Sequence, residues 1–127
     1  IRMHIGKFLI AAAATALVAS PALAHPKLVS STPGPNATVS PPAKVQLNFS
    51  ERLLPKFSGA DVTMTGMPGM ASHPPLRVPA TVKIPADGKT MVVAFAKRLA
   101  KGTYRLDWHV VSSDTHRVKG GYAFKVA

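Results

Sequence analysis

From Thr103 to Val110 the chain alternates polar and apolar residues without a break, setting Tyr104, Leu106, Trp108 and Val110 on one face. Period two is the signature of a strand with one buried and one wet face. Such a strand is stable only within a sheet, so the rest of the chain must supply partners. Val45–Phe49 alternates in the same way, and Gly121–Val126 closes the chain with Tyr122, Phe124 and Val126 on one side. Val62–Met64 and Ala80–Ile84 are shorter strand candidates, Met91–Ala96 is a near-continuous apolar run suited to a sandwich core, and Lys27–Ser30 is a candidate first edge strand. Asp87-Gly88 is a hairpin dipeptide between two of these runs. Twelve prolines leave no long helical period intact. About seven short strands separated by regular turns predict an all-β antiparallel sandwich or barrel of Greek-key type.

The first 24 residues read differently. Arg2, His4 and Lys7 make a basic start, Phe8–Ala19 is apolar or small apart from Thr15, and Ser20-Pro21 precedes the small-x-small triplet Ala22-Leu23-Ala24. This is the pattern of a secretory signal peptide cut after Ala24. Its apolar run falls short of the roughly 20 residues that span a bilayer. Residues 1–24 are therefore expected to be removed. Residues 25–127 then form one exported domain, with no stable membrane insertion after cleavage.

All five acids lie in residues 25–127, and so do all the Lys and Arg except Arg2 and Lys7. The surplus of cations is scattered singly, with no aromatic-interleaved basic patch and no nucleic-acid motif, so no nucleic-acid partner is expected. Cysteine is absent. The domain must rely on its sheet core, and any soft metal ligand must be methionine.

Cleavage after Ala24 would make His25 the first residue. A terminal histidine offers an α-amine and an imidazole that can chelate one metal ion, and such nitrogens suit Cu(II) in tetragonal geometry. Asp114-Thr115-His116 offers a carboxylate and a second imidazole. On its own, Asp-x-His reads equally as a turn aspartate beside an exposed histidine. A second group runs from Met64 through Met67 and Met70 to His73. Gly66, Pro68 and Gly69 disfavour a helical core stripe here and predict partly exposed thioethers on a loop. Thioethers suit Cu(I); the plainer alternative is a methionine loop packed on the sheet. One hard and one soft donor set together favour copper over zinc, nickel or iron.

These residues, with Ser31-Thr32-Pro33, Phe49-Ser50-Glu51, Gly102-Thr103-Tyr104, Trp108–His116 and Gly120–Phe124, resemble the CopC family of periplasmic copper-resistance proteins. The likeness covers essentially all of residues 25–127. It implies a seven-stranded Greek-key β-barrel, similar to cupredoxins and immunoglobulin sandwiches. It implies a Cu(II) site at one end, onto which His25, Asp114 and His116 map, with Glu51 as a weak ligand or one acting through a water. Spacing alone gives Glu51 an alternative as a rim carboxylate paired with Arg52 or a lysine. At the other end the resemblance implies a Cu(I) site of Met64, Met67, Met70 and His73. Departures occur at Thr115, where glycine is usual, and at Arg117, where proline is usual and a cation now stands near the Cu(II) site. No further methionine follows His73 before Met91, which reads as strand. His109 reads as solvent-facing and Trp108 as core.

The function implied is a periplasmic copper carrier or buffer for copper resistance or homeostasis. It would pass copper to an inner-membrane copper transporter or another periplasmic copper protein. The alternative is a histidine-brace copper oxidase or oxygenase, since an amine and two imidazoles also make such a brace. Asp114 would fill the position that oxygen needs, and no planar aromatic face is evident for a polymeric substrate.

Overall fold

The computed structural model describes residues 25–70 and 73–127. The expected signal peptide, residues 1–24, lies outside them. Among the described residues nine strands are present: β1 (Leu28–Thr32), β2 (Thr38–Val39), β3 (Lys44–Phe49), β4 (Gly59–Gly66), β5 (Leu76–Val78), β6 (Ala80–Lys83), β7 (Thr90–Phe95), β8 (Gly102–Val111) and β9 (Arg117–Val126). They form two sheets, ordered β1-β3-β7-β6 and β2-β9-β8-β4-β5. Among the described residues no helix is long and apolar enough to cross a membrane. The all-β Greek-key sandwich is thus as expected. Seven strands have four or more residues; β2 and β5 are short additions that the periodicity did not reveal. β5 lies between Pro75 and Pro79, and β2 pairs parallel to the end of β9 in an otherwise antiparallel fold.

The alternation works as predicted. Val45, Leu47 and Phe49 of β3, Met91 and Val93 of β7, Val62 and Met64 of β4, Tyr104, Leu106 and Val110 of β8, and Tyr122, Phe124 and Val126 of β9 fill the space between the sheets. Burial of each contributes on the order of 1.5–3 kcal/mol. Tyr104 stacks on Phe124, with ring centroids 5.6 Å apart. The apolar run of β7 is one-sided, since Val92 is half-buried and Ala94 is exposed.

The β8–β9 hairpin is the longest pairing, in continuous register from Gly102↔Val126 to Val111↔Arg117. β9 therefore begins at Arg117 rather than at Gly121. Gly120-Gly121 looks like a break in the sequence, but the Trp108 ring lies over Gly120, where a Cβ would come 2.4 Å from it. Trp108 is half-buried, standing edge-on to Phe49 and Tyr122 at 6.0 Å from each. His109 is exposed, as expected. β8 thus runs from a methionine end, where Gly66 lies opposite Thr103, to a histidine end at residues 112–116.

Candidate metal centres

At the histidine end, two distant parts of the chain are tied to one short segment. Pro26 is fully buried. Lys27 N–H donates to Ser50 Oγ at 2.9 Å, Ser50 N–H returns a bond to the Lys27 carbonyl at 2.8 Å, and the Ser50 hydroxyl reaches the His25 carbonyl at 3.5 Å. Just beyond, Leu54 N–H donates to the Val111 carbonyl and Ser113 N–H to the Arg52 carbonyl, at 2.8 and 2.9 Å. Residues 50–54 therefore hold His25 on one side and the 112–116 loop on the other. The His25 and His116 rings meet edge to face, centroids 4.5 Å apart and planes at 70°.

The loop is a three-residue hairpin connection. Thr115 N–H bonds the Ser112 carbonyl at 2.8 Å and Ser112 N–H bonds the His116 carbonyl at 2.9 Å. Thr115 has φ of +73°, at the left-handed position such loops usually give to glycine. A β-branched residue is strained there. The turn points Asp114 back at its neighbours: one carboxylate oxygen accepts from the Ser112 hydroxyl and the other lies 3.0 Å from His116 Nδ1. These bonds, the serine's first and then the histidine's, lower the Asp114 pKa to about 2. The carboxylate is an anionic hard donor throughout the neutral range. With Nδ1 facing Asp114, His116 keeps Nε2 as its remaining nitrogen.

Ser112, 1% exposed, and Ser50 hydrogen-bond the candidate ligand segments, a role that motif reading did not assign them. The alternation of β8 held the signal for the first: after Val110 the next inward position is Ser112, a polar residue where the pattern calls for an apolar one. Glu51 is half-buried beside Ser50. Arg52 does not pair with it, donating instead to the Ala86 and Asp87 carbonyls at 3.4 Å. Among the described residues no three His, Asp or Glu side chains stand as a preformed cage. The expected third nitrogen, the His25 α-amine, is a backbone atom freed only by cleavage before it.

At the other end, Met67-Pro68-Gly69-Met70 forms a tight turn. Met70 N–H donates to the Met67 carbonyl at 2.9 Å and Met67 N–H to the Met70 carbonyl at 3.3 Å. Proline at the second position and Gly69 at φ +80° are the pattern of a type II turn. Met67 and Met70 face each other as an antiparallel pair, so their side chains project to the same face. Met67 is half-buried and Met70 is 52% exposed. Met64 is a correction to the expectation of a loop thioether. It lies within β4, two residues after inward Val62, and is 8% exposed in the core. His73 Nδ1 lies 2.7 Å from the Pro74 carbonyl, so it carries the ring proton of the neutral form and Nε2 keeps a lone pair. That Nε2 is buried with no hydrogen-bond partner among the described residues. By residue chemistry, an unpartnered imidazole nitrogen three positions after Met70 suits a soft cation together with the two thioethers.

Most of the chain is similar to known proteins. The family described as CopC domain matches residues 28–127. Copper resistance protein C of Xanthomonas campestris pv. juglandis is 55% identical over 113 residues, spanning 89% of this chain and 88% of that protein. Copper resistance protein C of Escherichia coli is 55% identical over 109 residues, 86% of each chain. The crystal structure of PcoC, a methionine-rich copper resistance protein from Escherichia coli, superposes with a TM-score of 0.75 at 52% identity, covering 82% of this chain and all of that one.

Proposed function

The chain belongs to the CopC family, and on that premise we propose that it is a periplasmic copper carrier with a Cu(II) site at one end and a Cu(I) site at the other. It is a copper-resistance protein and not an enzyme, as its relatives are. In this reading copper is cargo. Export and cleavage after Ala24 free the His25 α-amine. Cu(II) is then held by that amine, the His25 imidazole, His116 through Nε2, and Asp114, with Glu51 close by. The observation that supports this most directly is the 4.5 Å approach of two imidazoles that lie 91 positions apart in the chain. Three nitrogens and a carboxylate are a Cu(II) donor set.

Cu(I) is bound at the opposite end by Met67, Met70 and His73. Met64, 8% exposed at the end of β4, is the most buried of the three thioethers and the weaker candidate ligand. Thioethers favour the reduced ion and the amine-imidazole-carboxylate set favours the oxidised one, so the two sites load independently. The copper passes to an inner-membrane transporter or another periplasmic copper protein.

The test is direct. Intact mass of the exported protein should correspond to residues 25–127. One extra residue placed before His25 should sharply weaken Cu(II) binding and change its paramagnetic resonance spectrum. An unchanged affinity and spectrum would remove the terminal amine from the site.

A further inference from the structure

We propose that the methionine end is the docking face for an acidic protein partner, recognised by a rim of cations with no acidic side chain among them. All five acids of the chain are described, and none lies at this end. Glu51, Asp87 and Asp114 belong to the histidine end. Asp61 and Asp107 oppose each other across the middle of the sheet and are engaged by Arg77 and Arg105, at 2.6 and 3.0 Å. The methionine end instead carries Lys44 at the start of β3, Lys97, Arg98 and Lys101 in the β7–β8 loop, and Lys125 opposite Thr103. All five are exposed, and none forms an ion pair among the described residues.

This arrangement opposes the retention of copper. A cation entering the Met67–Met70 turn gains nothing from a ring of cations. The ring therefore serves another interaction, and its sign selects an anionic one. Two open clefts lie at this end, the first of them against the turn. One is lined by Met67, Thr103 and Lys125, the other by Leu76, Lys97 and Arg98. Met70 and Leu76 are 52% and 51% exposed there. Exposed apolar side chains inside a charged rim have the anatomy of a protein interface. A membrane surface is the weaker fit. The large hydrophobic residues exposed at this end are Met70 and Leu76, whereas interfacial anchoring relies on Trp and Tyr. An acidic face would also offset the rim's repulsion of Cu(I) at the moment of transfer.

The partner's role as copper donor or acceptor rests on the carrier reading; the charge geometry does not. The experiment titrates the isotope-labelled protein with a synthetic peptide of glutamates and methionines, followed by NMR. A second peptide has glutamine for every glutamate, and a third arm uses phosphatidylglycerol vesicles. Shifts should be confined to residues 42–44, 64–70, 76–79, 97–102 and 125–127. K97E/R98E should weaken peptide binding by about tenfold or more. K101E/K125E should do the same should the first pair fold poorly, and K56E/K89E at the far end should have little effect. Equal binding of the glutamine peptide, shifts at the histidine end, vesicle binding without peptide binding, or self-association through these residues would each overturn the proposal. Cu(I) affinity of K97E/R98E, measured by chelator competition without peptide, should be retained or tightened. Absence of Cu(I) binding in the unmodified protein would instead defeat the carrier reading while leaving the peptide result intact.

Discussion

His25 and His116 stand edge to face with ring centroids 4.5 Å apart, and neither residue makes that contact by itself. Ser50 fixes the backbone of residues 25–27, while Arg52 and Leu54 fix the loop that carries His116. Ser50→Ala should therefore weaken Cu(II) binding by about tenfold and lower stability by about 1 kcal/mol, the usual worth of a lost hydrogen bond. Cu(I) affinity should not change. Isothermal titration with each ion and chemical denaturation check both parts. Equal losses at both sites would mean that the substitution loosens the whole domain.

Thr115 holds a left-handed backbone between Asp114 and His116. Thr115→Gly should raise stability by about 1 kcal/mol, the cost of placing a side chain in that conformation less the added entropy of a glycine in the unfolded chain. Thermal unfolding of the metal-free protein measures it. A decrease would show that the hydroxyl, which donates to the Asp114 carbonyl, outweighs the backbone strain.

The methionines should separate by position. Met67→Leu and Met70→Leu should each cut Cu(I) affinity strongly with little effect on stability, because their side chains share one face of an exposed turn. Met64→Leu changes a core residue for one of similar volume and should cost less than about 1.5 kcal/mol, with Cu(I) binding kept. His73→Phe should also weaken Cu(I), since it removes the unpartnered Nε2. Loss of Cu(I) binding in Met64→Leu alone would show that β4 opens to bring its thioether outward.

Asp87 supplies an acid-sensitive element at the histidine end, outside the proposed ligand sets. Its pKa is lowered from the ordinary 3.8, first by the Thr90 hydroxyl and then by the Lys89 and Thr90 amides. A carboxylate with a depressed folded-state pKa contributes stability that is present above its unfolded value and lost as pH falls through the folded one. Asp87→Asn should flatten the fall in stability below pH 3.8 and lower stability at neutral pH. Denaturation curves measured across that range give the slope; an unchanged slope would show that the Asp87 bonds contribute nothing to folding.

The strands were legible because alternation is a local property. Tyr104, Leu106 and Val110 announce their buried face in consecutive residues, and Asp87-Gly88 announces its turn. Gly120-Gly121 misled for the opposite reason, since the Trp108 ring that requires Gly120 lies twelve residues earlier. The same division runs through the sites. Residue chemistry alone names His25, Asp114 and His116 as hard donors and the methionines as soft ones. It does not bring His25 to His116, because that contact depends on residues 50–54 bonding to both chain segments at once. Nor does it separate Met64 from Met67 and Met70. All three share the same spacing, and the difference lies in where β4 stops and the Pro68-Gly69 turn begins. The acids and cations were likewise countable from the start, but a count has no direction. Only the antiparallel course of β8 and β9, carrying Asp114 to one end and Lys125 to the other, turned a scattered positive charge into two unlike ends.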